Sequence, residues 1–87
     1  MKLYSIRDNA TEAHMRPWPA QTDGQALRMI VDALMDPKED IAKHPEDYSL
    51  WCHGTFNEST GEIDVENKCL ARCVDLISGG DGNATAE

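Results

Sequence analysis

The stretch from Tyr48 to Glu66 constrains the fold of this chain most, because its side chains alternate along two short segments that flank turn-forming residues. A period of two is typical of strands with one buried face. Asn57 to Gly61 supplies the turn, and Gly61 suits a positive φ angle. The sequence therefore predicts a β-hairpin. We expect its core face to carry alternate residues of both strands, namely Tyr48, Leu50, Cys52, Gly54, Phe56, Ile63 and Val65.

The other face of this hairpin carries Trp51 and His53, opposite Glu62, Asp64 and Glu66 on the return strand. An exposed aromatic ring beside a histidine can stack on a nucleobase. Against that interpretation, carboxylates on the neighbouring strand repel phosphate. Tryptophan is also a frequent anchor of protein interfaces. We therefore favour a Trp51 that is covered by a second helix or by another subunit, and we predict Trp51 and His53 as partner-binding residues.

A main helix is predicted to begin at Thr22, because a hydroxyl residue followed three positions later by Gln25 has the spacing of a capping box. Asp36-Pro37 ends this helix, since the residue before a proline avoids the helical region. Apolar residues at helical spacing define the stripe that we expect to face the sheet: Leu27, Ile30, Val31 and Leu34.

The remaining elements are shorter. Lys2 to Asp8 is predicted to be a first strand with Tyr4 and Ile6 on one face. Residues 13–16 form a short candidate strand that Pro17-Trp18-Pro19 ends, and the prolines confine this piece to a sheet edge or a loop. A second helix is expected from Asn67, with one apolar face formed by Leu70, Cys73, Val74 and Ile77.

Residues 1–77 are therefore predicted to form a single α+β domain, in which a small antiparallel sheet with the hairpin packs on one main helix. Residues 78–87 are rich in Gly, Ala and acidic residues, and we expect a disordered tail there. A core of this size rarely supplies more than about 3–5 kcal/mol. Homo-oligomer formation or binding to a partner is thus expected.

The net charge of −8 is concentrated after residue 35, where twelve acidic residues face four basic ones. Affinity for nucleic acid comes mostly from the neutralisation of phosphates, so this half is a poor surface for DNA. Any direct contact with single-stranded DNA is predicted to use the N-terminal half, through Lys2, Arg7, Arg16, Trp18 and Arg28. An ordinary solvated sheet edge is the favoured alternative for these residues.

A zinc site is suggested by Cys52 and His53 together with Cys69 and Cys73, which lie four residues apart on the predicted second helix. The spacing argues against it, because the sequence has no Cys-x-x-Cys pair and adjacent strand positions point to opposite faces. Cys52 and Cys73 instead fall on apolar faces, where small thiols are common. We predict neither a metal nor a cofactor.

Catalysis is not predicted either. His44, Glu46 and Asp47 superficially suggest acid–base chemistry, but Pro45 indicates a turn that the carboxylates can cap. No nucleophile with a paired base and no phosphate-binding glycine loop is evident in the sequence. No apolar run approaches the roughly 20 residues of a membrane span, and no apolar signal segment follows Met1. With three cysteines expected as reduced thiols, the sequence predicts a cytosolic protein.

The run HPEDYSLWCHGTFNESTGEI, residues 44–63, resembles the small nonstructural protein of the gokushoviruses, single-stranded DNA phages of the family Microviridae. Lys2–Asp8 is similar to the N-terminal strand of that family, and Ala26–Pro37 to its helix ending in Asp-Pro. The resemblance extends over residues 2–66. It implies a role around viral single-stranded DNA synthesis and packaging, in the cytoplasm of the bacterial host.

Combined with the acidic half of the chain, this resemblance predicts a non-enzymatic accessory protein that works mainly through protein–protein contacts. The expected partners are phage replication or procapsid proteins, and not a membrane. The alternative is a protein that binds single-stranded DNA directly through its N-terminal half.

Overall fold

A sheet of five antiparallel strands forms the centre of the computed structural model, which describes residues 1–79. Along the chain, the strands are β1 (Lys2–Asp8), β2 (Ala13–His14), β3 (Trp18–Ala20), β4 (Tyr48–Phe56) and β5 (Ile63–Arg72). The order across the sheet is β2-β1-β4-β5, and β3 pairs with β1 on the edge that β2 also uses. The predicted α+β class with an antiparallel sheet is confirmed.

Helices cover one face of this sheet. They are α1 (Asp23–Leu34), α2 (Asp40–Lys43), a 3-10 turn (Pro45–Asp47) and α3 (Cys73–Gly79). The buried core between the two layers consists of Tyr4, Ile6, Ala20, Ala26, Ile30, Ile41, Tyr48, Leu50, Cys52 and Cys73. No helix among residues 1–79 has the length and apolar character that crossing a membrane requires. The predicted tail, residues 78–87, lies beyond the described residues except for the end of α3.

The predicted start of α1 is confirmed. Thr22 is the N-cap, and its hydroxyl accepts a hydrogen bond from the backbone N–H of Gln25 at 3.1 Å. The Gln25 side chain accepts from the backbone N–H of Gln21 at 2.8 Å, one residue before the position that a standard capping box uses. This contact ties the helix start to the end of β3.

The predicted apolar stripe of α1 is correct except for Val31, which is 37% exposed. Ala26 and Ile30 are the buried residues of the helix, and Leu27 and Leu34 pack at the margin of the core. Ala26 is fully buried, and its small side chain allows the helix to approach the sheet closely. The buried line therefore follows residues 26, 30 and 33–34, which turns Val31 toward solvent.

The hairpin is confirmed, and its turn contains Gly61 at φ 82° as expected. Its predicted core face is wrong at the outer end, because Ile63 is 54% and Val65 is 74% exposed. Val65 lies opposite Gly54, which offers no side chain to pack against. The buried part of the hairpin is its inner end, where Leu50 and Cys52 contact the helical layer.

The second helix begins six residues later than predicted. Residues 68–72 continue β5 and pair with β4, and α3 starts only at Cys73. Asn67 is not a helix cap; it has φ 54° and lies at an irregularity of the strand pairing. The long-range pairing with β4 outweighs the local helical spacing of the apolar residues. Trp18 and Pro19, expected to end a strand, form β3 at the sheet edge, where proline is tolerated.

The candidate interaction face of the sheet

The sheet has a second face, directed away from the helices, which we call the open face. Because Tyr4 and Ile6 point to the core, the alternate residues of β1 point to the open face. The same alternation applies to β4, so Ser49, Trp51 and His53 share this face. The strand pairings complete the set, which comprises Leu3, Ser5, Arg7, His14, Ser49, Trp51, His53, Cys69 and Arg72.

Two rows of residues cross the open face. In the first row, Arg7 is the pairing partner of both His14 and Ser49, and Ser49 is the partner of Arg72. In the second row, Trp51 lies between Ser5 and Cys69. Directly opposed residues on neighbouring strands point to the same side. Trp51 therefore has Cys69 as its neighbour on β5, and Arg72 lies in the adjoining row.

The predicted carboxylate neighbours of Trp51 are thus wrong. Asp64 is opposed to Thr55, farther out along the hairpin. Glu66 turns to the other face, where its carboxylate accepts a hydrogen bond from the Cys52 thiol at 3.7 Å. The difference arises because β5 is longer than predicted and contains two irregularities, which move the register between Trp51 and the acidic residues.

Trp51 is partly buried and fixed in place. Its indole N–H donates to the Ser49 hydroxyl at 2.9 Å. The ring of His14 meets the Trp51 ring edge-to-face, with centroids 5.5 Å apart. A second helix does not cover Trp51, because α3 places Cys73 and Leu76 in the core on the opposite face. The predicted cover by the second helix is therefore wrong, and cover by another subunit stays a prediction.

A chain of hydrogen bonds joins two histidines on the open face. The Ser5 hydroxyl lies 2.8 Å from Nδ1 of His14 and 2.7 Å from Nε2 of His53. Nδ1 of His53 lies 2.7 Å from the amide oxygen of Asn67. With that oxygen as an acceptor, His53 donates to Asn67, Ser5 donates to His53, and His14 donates to Ser5. This assignment leaves the lone pair of His14 Nε2 directed away from the chain of bonds.

The surroundings of His14 favour its uncharged form. Burial lowers the pKa of His14, and the neighbouring His53 and Arg7 lower it further. The two imidazole rings are 4.9 Å apart. A shallow depression of about 190 Å³ adjoins them, and it is lined by Leu3, Ser5, His14, Met15, Pro17 and His53. The open face thus offers aromatic rings, imidazole nitrogens and apolar walls on an ordered surface.

The family model described as Phage ORF5 protein matches residues 1–76. The chain belongs to this phage protein family. The match spans all five strands and the first half of α3, so the open face lies inside the family domain. Family membership confirms the phage origin that residues 44–63 indicated. Neither the curated proteins nor the solved structures include a significant match to the chain.

Within the family domain, the five residues predicted to bind nucleic acid do not form one surface. β1 and β3 lie side by side, but Lys2 pairs with Asp23 of α1 at 3.4 Å. Trp18 packs on Tyr4, with ring centroids 6.3 Å apart. Both are therefore on the helical side of the sheet. Arg7 is on the open face, where it donates to the Asn9 side chain. Arg16 and Arg28 are exposed, the latter on α1.

Several residues of the open face were missed from the sequence. Ser5 and His14 carry no motif, and only strand pairing brings them to His53. Asn67 and Arg72 were assigned to a helix, which hid their position beside β4. Trp51 and His53 were predicted on this face because strand alternation alone places them there.

The three cysteines, all within the described part of the chain, are free thiols. Cys52 and Cys73 are fully buried, as expected, and burial raises the pKa of the Cys73 thiol to about 11. Cys69 is exposed and lies on β5, not on a helix with Cys73. Within residues 1–79, ligand-like spacing for a metal occurs in one exposed group at the 3-10 turn, formed by His44, Glu46 and Asp47.

Proposed function

We propose that this protein is a gokushovirus accessory protein without enzymatic activity. It acts in the bacterial host cytoplasm, around viral single-stranded DNA synthesis and packaging, chiefly by binding phage replication or procapsid proteins. Membership of the Phage ORF5 protein family supports the phage setting. The resemblance over residues 2–66 supports the narrower role.

The observation that carries the proposal is the state of Trp51. A partly buried indole held by a hydrogen bond to Ser49 and by the His14 ring resembles the anchor residue of a protein interface. Because these contacts already fix its rotamer, Trp51 loses little side-chain entropy when a partner binds. The surrounding imidazole nitrogens add hydrogen-bonding capacity.

A binding role is favoured over catalysis by the burial of Ser5. Its hydroxyl is placed between two imidazoles, as a nucleophile would be, but the residue is only 1% exposed. The rings of His14 and His53 lie over it. A substrate atom cannot reach an oxygen in that position, which suits a residue that orients the histidines.

The experiment is a pull-down of the tagged protein from phage-infected cells, compared with Trp51→Ala. We expect the wild type to retain phage replication or procapsid proteins and Trp51→Ala to lose them. Met35→Ala is the control, because Met35 is 77% exposed at the end of α1, away from the open face. Recovery of the same proteins by folded Trp51→Ala contradicts the proposal.

Direct binding of single-stranded DNA is the second candidate, and one observation favours it. Arg7 and Arg72 flank Ser49 in the row next to Trp51, and neither forms an ion pair among residues 1–79. Such an arrangement suits a base stacked on the indole with phosphates near the guanidinium groups. The DNA-binding residues would then differ from the predicted N-terminal set and share only Arg7 with it.

A further inference from the structure

The open face continues beyond His53 to the outer end of the hairpin. Relative to β1, β4 has one extra residue here, because Leu3 is opposed to Gly54 and not to His53. Leu3 itself is on the open face, where it lines the depression beside the histidines. Opposed residues point to the same side, so Gly54 faces the open side directly after His53.

From Gly54 outward, strand pairing places apolar side chains on the open face. Val65 is opposed to Gly54, and Ile63 is opposed to Phe56 at the end of the hairpin. Val65 and Ile63 are exposed, and Phe56 is half-buried. Together with Leu3 they form one apolar area, which we call the outer patch. Exposed apolar areas of this kind mark interaction sites when they are contiguous.

Gly54 leaves a notch in the middle of the outer patch. In the row formed by Leu3, Gly54 and Val65, the central strand has no side chain. Neighbouring strands are about 4.8 Å apart, so Leu3 and Val65 are separated by about 10 Å. Between them lies the space that a side chain of β4 ordinarily fills. The backbone keeps this space open, because a Cβ atom at Gly54 meets the backbone carbonyl of Asp64.

The inner end of the open face is positively charged. Arg7 and Arg72 lie in one row, and neither forms an ion pair among residues 1–79. The acidic residues of the described strands, Asp8, Asp64 and Glu66, fall on the helical side. The strands of a chain with a net charge of −8 therefore place two cations and no carboxylate on this face.

We propose that the open face binds an extended segment of a partner protein that carries a carboxylate at one end and apolar side chains at the other. This inference rests on the proposed function and adds the chemistry of the partner. Charge complementarity places the carboxylate between Arg7 and Arg72, whose guanidinium groups can each bind it through two hydrogen bonds. The apolar side chains contact Trp51 and enter the notch at Gly54.

The rows of the open face set the spacing of the partner's residues. Arg7, Ser5 and Leu3 mark three successive rows along β1. Alternate residues of a strand are about 6.6 Å apart, and an extended segment that lies along the strands repeats its side chains at the same distance. The acidic residue of the segment is therefore two positions from the residue over Trp51 and four positions from the residue in the notch.

A strand of DNA fits this surface less well. It carries a phosphate at every nucleotide, whereas the described strands place guanidinium groups only at the inner end of the face. Lys2, near the outer end, points to the helical side and pairs with Asp23. The outer patch offers apolar contacts instead, which suit protein side chains.

The test uses a capped, fluorescein-labelled peptide, Asp-Thr-Phe-Thr-Leu-Thr-Leu, titrated with the full chain at low salt. We expect fluorescence anisotropy to show binding with a Kd below about 1 mM. Val65→Lys replaces an exposed apolar side chain of the outer patch and should weaken binding by at least about fivefold. Val31→Lys is the control, because it makes the same change at an exposed position of α1 and should leave binding unchanged.

The charged end of the site is tested by reversing charges on both sides. Arg72→Glu should weaken binding of the same peptide by about tenfold or more, because it opposes like charges. Arg28→Glu makes this change on α1 and should have no effect. A second peptide with lysine in place of aspartate is expected to bind more tightly to Arg72→Glu than to the wild type.

A wild type that leaves the aspartate peptide unbound at about 1 mM overturns the proposal. Binding by folded Val65→Lys and Arg72→Glu that equals the wild type also overturns it. So does preferential binding of oligo(dT), or a wild-type dimer that Val65→Lys abolishes, since each assigns the face to another occupant. The proposed function is tested separately, because Trp51→Ala can lose phage proteins in the pull-down whether or not this peptide binds.

Discussion

The side chains on the two faces of the sheet are held in place by different kinds of interaction. On the helical face, apolar side chains such as Leu50 and Ile6 are buried against α1 and α3. On the open face, the residues buried most deeply are Ser5 and Ser49, which are 1% and 4% exposed. They are covered by side chains of their own face, and each bonds to one or two of the rings above it.

This difference suggests that the two faces contribute unequally to the stability of the domain. Burial of apolar surface is the main source of folding free energy, so the helical face carries most of the stability. Hydrogen bonds contribute less on balance, but they fix side-chain geometry. The open face therefore adds little stability, and the binding role that we propose for it depends on the fixed geometry of its side chains. Substitutions on the two faces should have separable effects.

The largest effect is expected from two adjacent residues that point to opposite faces. Leu50→Ala removes a fully buried side chain and should cost about 2–5 kcal/mol, enough to unfold much of a domain this small. Trp51→Ala should cost clearly less, because the indole is only partly buried. Chemical denaturation followed by far-UV circular dichroism measures both. Equal losses for the two variants break the proposed division between the faces.

The next largest effect is expected at Gly54, because a change in its backbone conformation affects side chains on both faces of the sheet. Gly54 has φ 146°, and a Cβ atom there meets the backbone carbonyl of Asp64 on β5. Gly54→Ala should therefore cost at least the roughly 1–3 kcal/mol typical of a strained backbone. Gly24→Ala is the control, since only the Thr22 hydroxyl is near its side-chain position. Thermal unfolding of both variants gives the comparison, and a Gly54→Ala protein as stable as Gly24→Ala contradicts it.

A fall in pH should reduce the stability that the packing around His14 on the open face contributes. The pKa of His14 is lowered in the folded protein by burial, by His53 and by Arg7, so the unfolded chain takes up the proton first. The stability linked to neutral His14 is present above its ordinary pKa of 6.5 and is lost as the pH falls through the folded value. His14→Gln should lower the pH dependence of unfolding between about pH 7 and pH 5.

Met35→Gln is the control, because Met35 is 77% exposed at the end of α1, away from the open face, and the substitution removes no titratable group. Its pH dependence should equal that of the wild type. If His14→Gln shows the same dependence as the wild type, the titration of His14 makes no contribution to stability.

The smallest effect is expected in the salt dependence of any DNA binding. If single-stranded DNA uses the open face, Arg7 and Arg72 supply two phosphate contacts, and the slope of log K against log salt should be near −1.4. Arg7→Ala and Arg72→Ala should each flatten it by about 0.7, whereas Lys2→Ala and Arg28→Ala should not. Fluorescence anisotropy with oligo(dT) at several salt concentrations measures the slopes. Flattening by Lys2→Ala or Arg28→Ala instead favours the predicted N-terminal set.

The parts of the fold that depend on local signals were predictable from the sequence. Strand alternation gave the hairpin, and the spacing of Thr22 and Gln25 gave the start of α1. The end of β5 was not predictable, because Leu70 continues the helical spacing of the apolar residues at 73, 74 and 77, and residues 68–72 are held as a strand only by β4. The exposure of Val31 was not predictable either, because it depends on the orientation of α1. That orientation follows from the close contact between Ala26 and the rest of the core.

The same distinction between local and long-range signals applies to the residues of the candidate site. Trp51 and His53 were placed on the open face by alternation within their own strand. Ser5, His14 and Asn67 join them through pairing between strands that are far apart in sequence. The position of a partner strand depends on its bulges, and a shift by one residue moves each side chain to the other face.

The exposure of Cys69 makes the open face accessible to chemical labelling. Among residues 1–79, the other two thiols are buried, so a thiol-reactive dye should attach at this position without any substitution. Cys69 is opposed to Trp51 across the strand pair. A dye that accepts energy from indole fluorescence is then one strand from Trp51 and three strands from Trp18, the other tryptophan, so it reports mainly on Trp51. The natural sequence thus contains a donor and an attachment point for following occupancy of the face in real time.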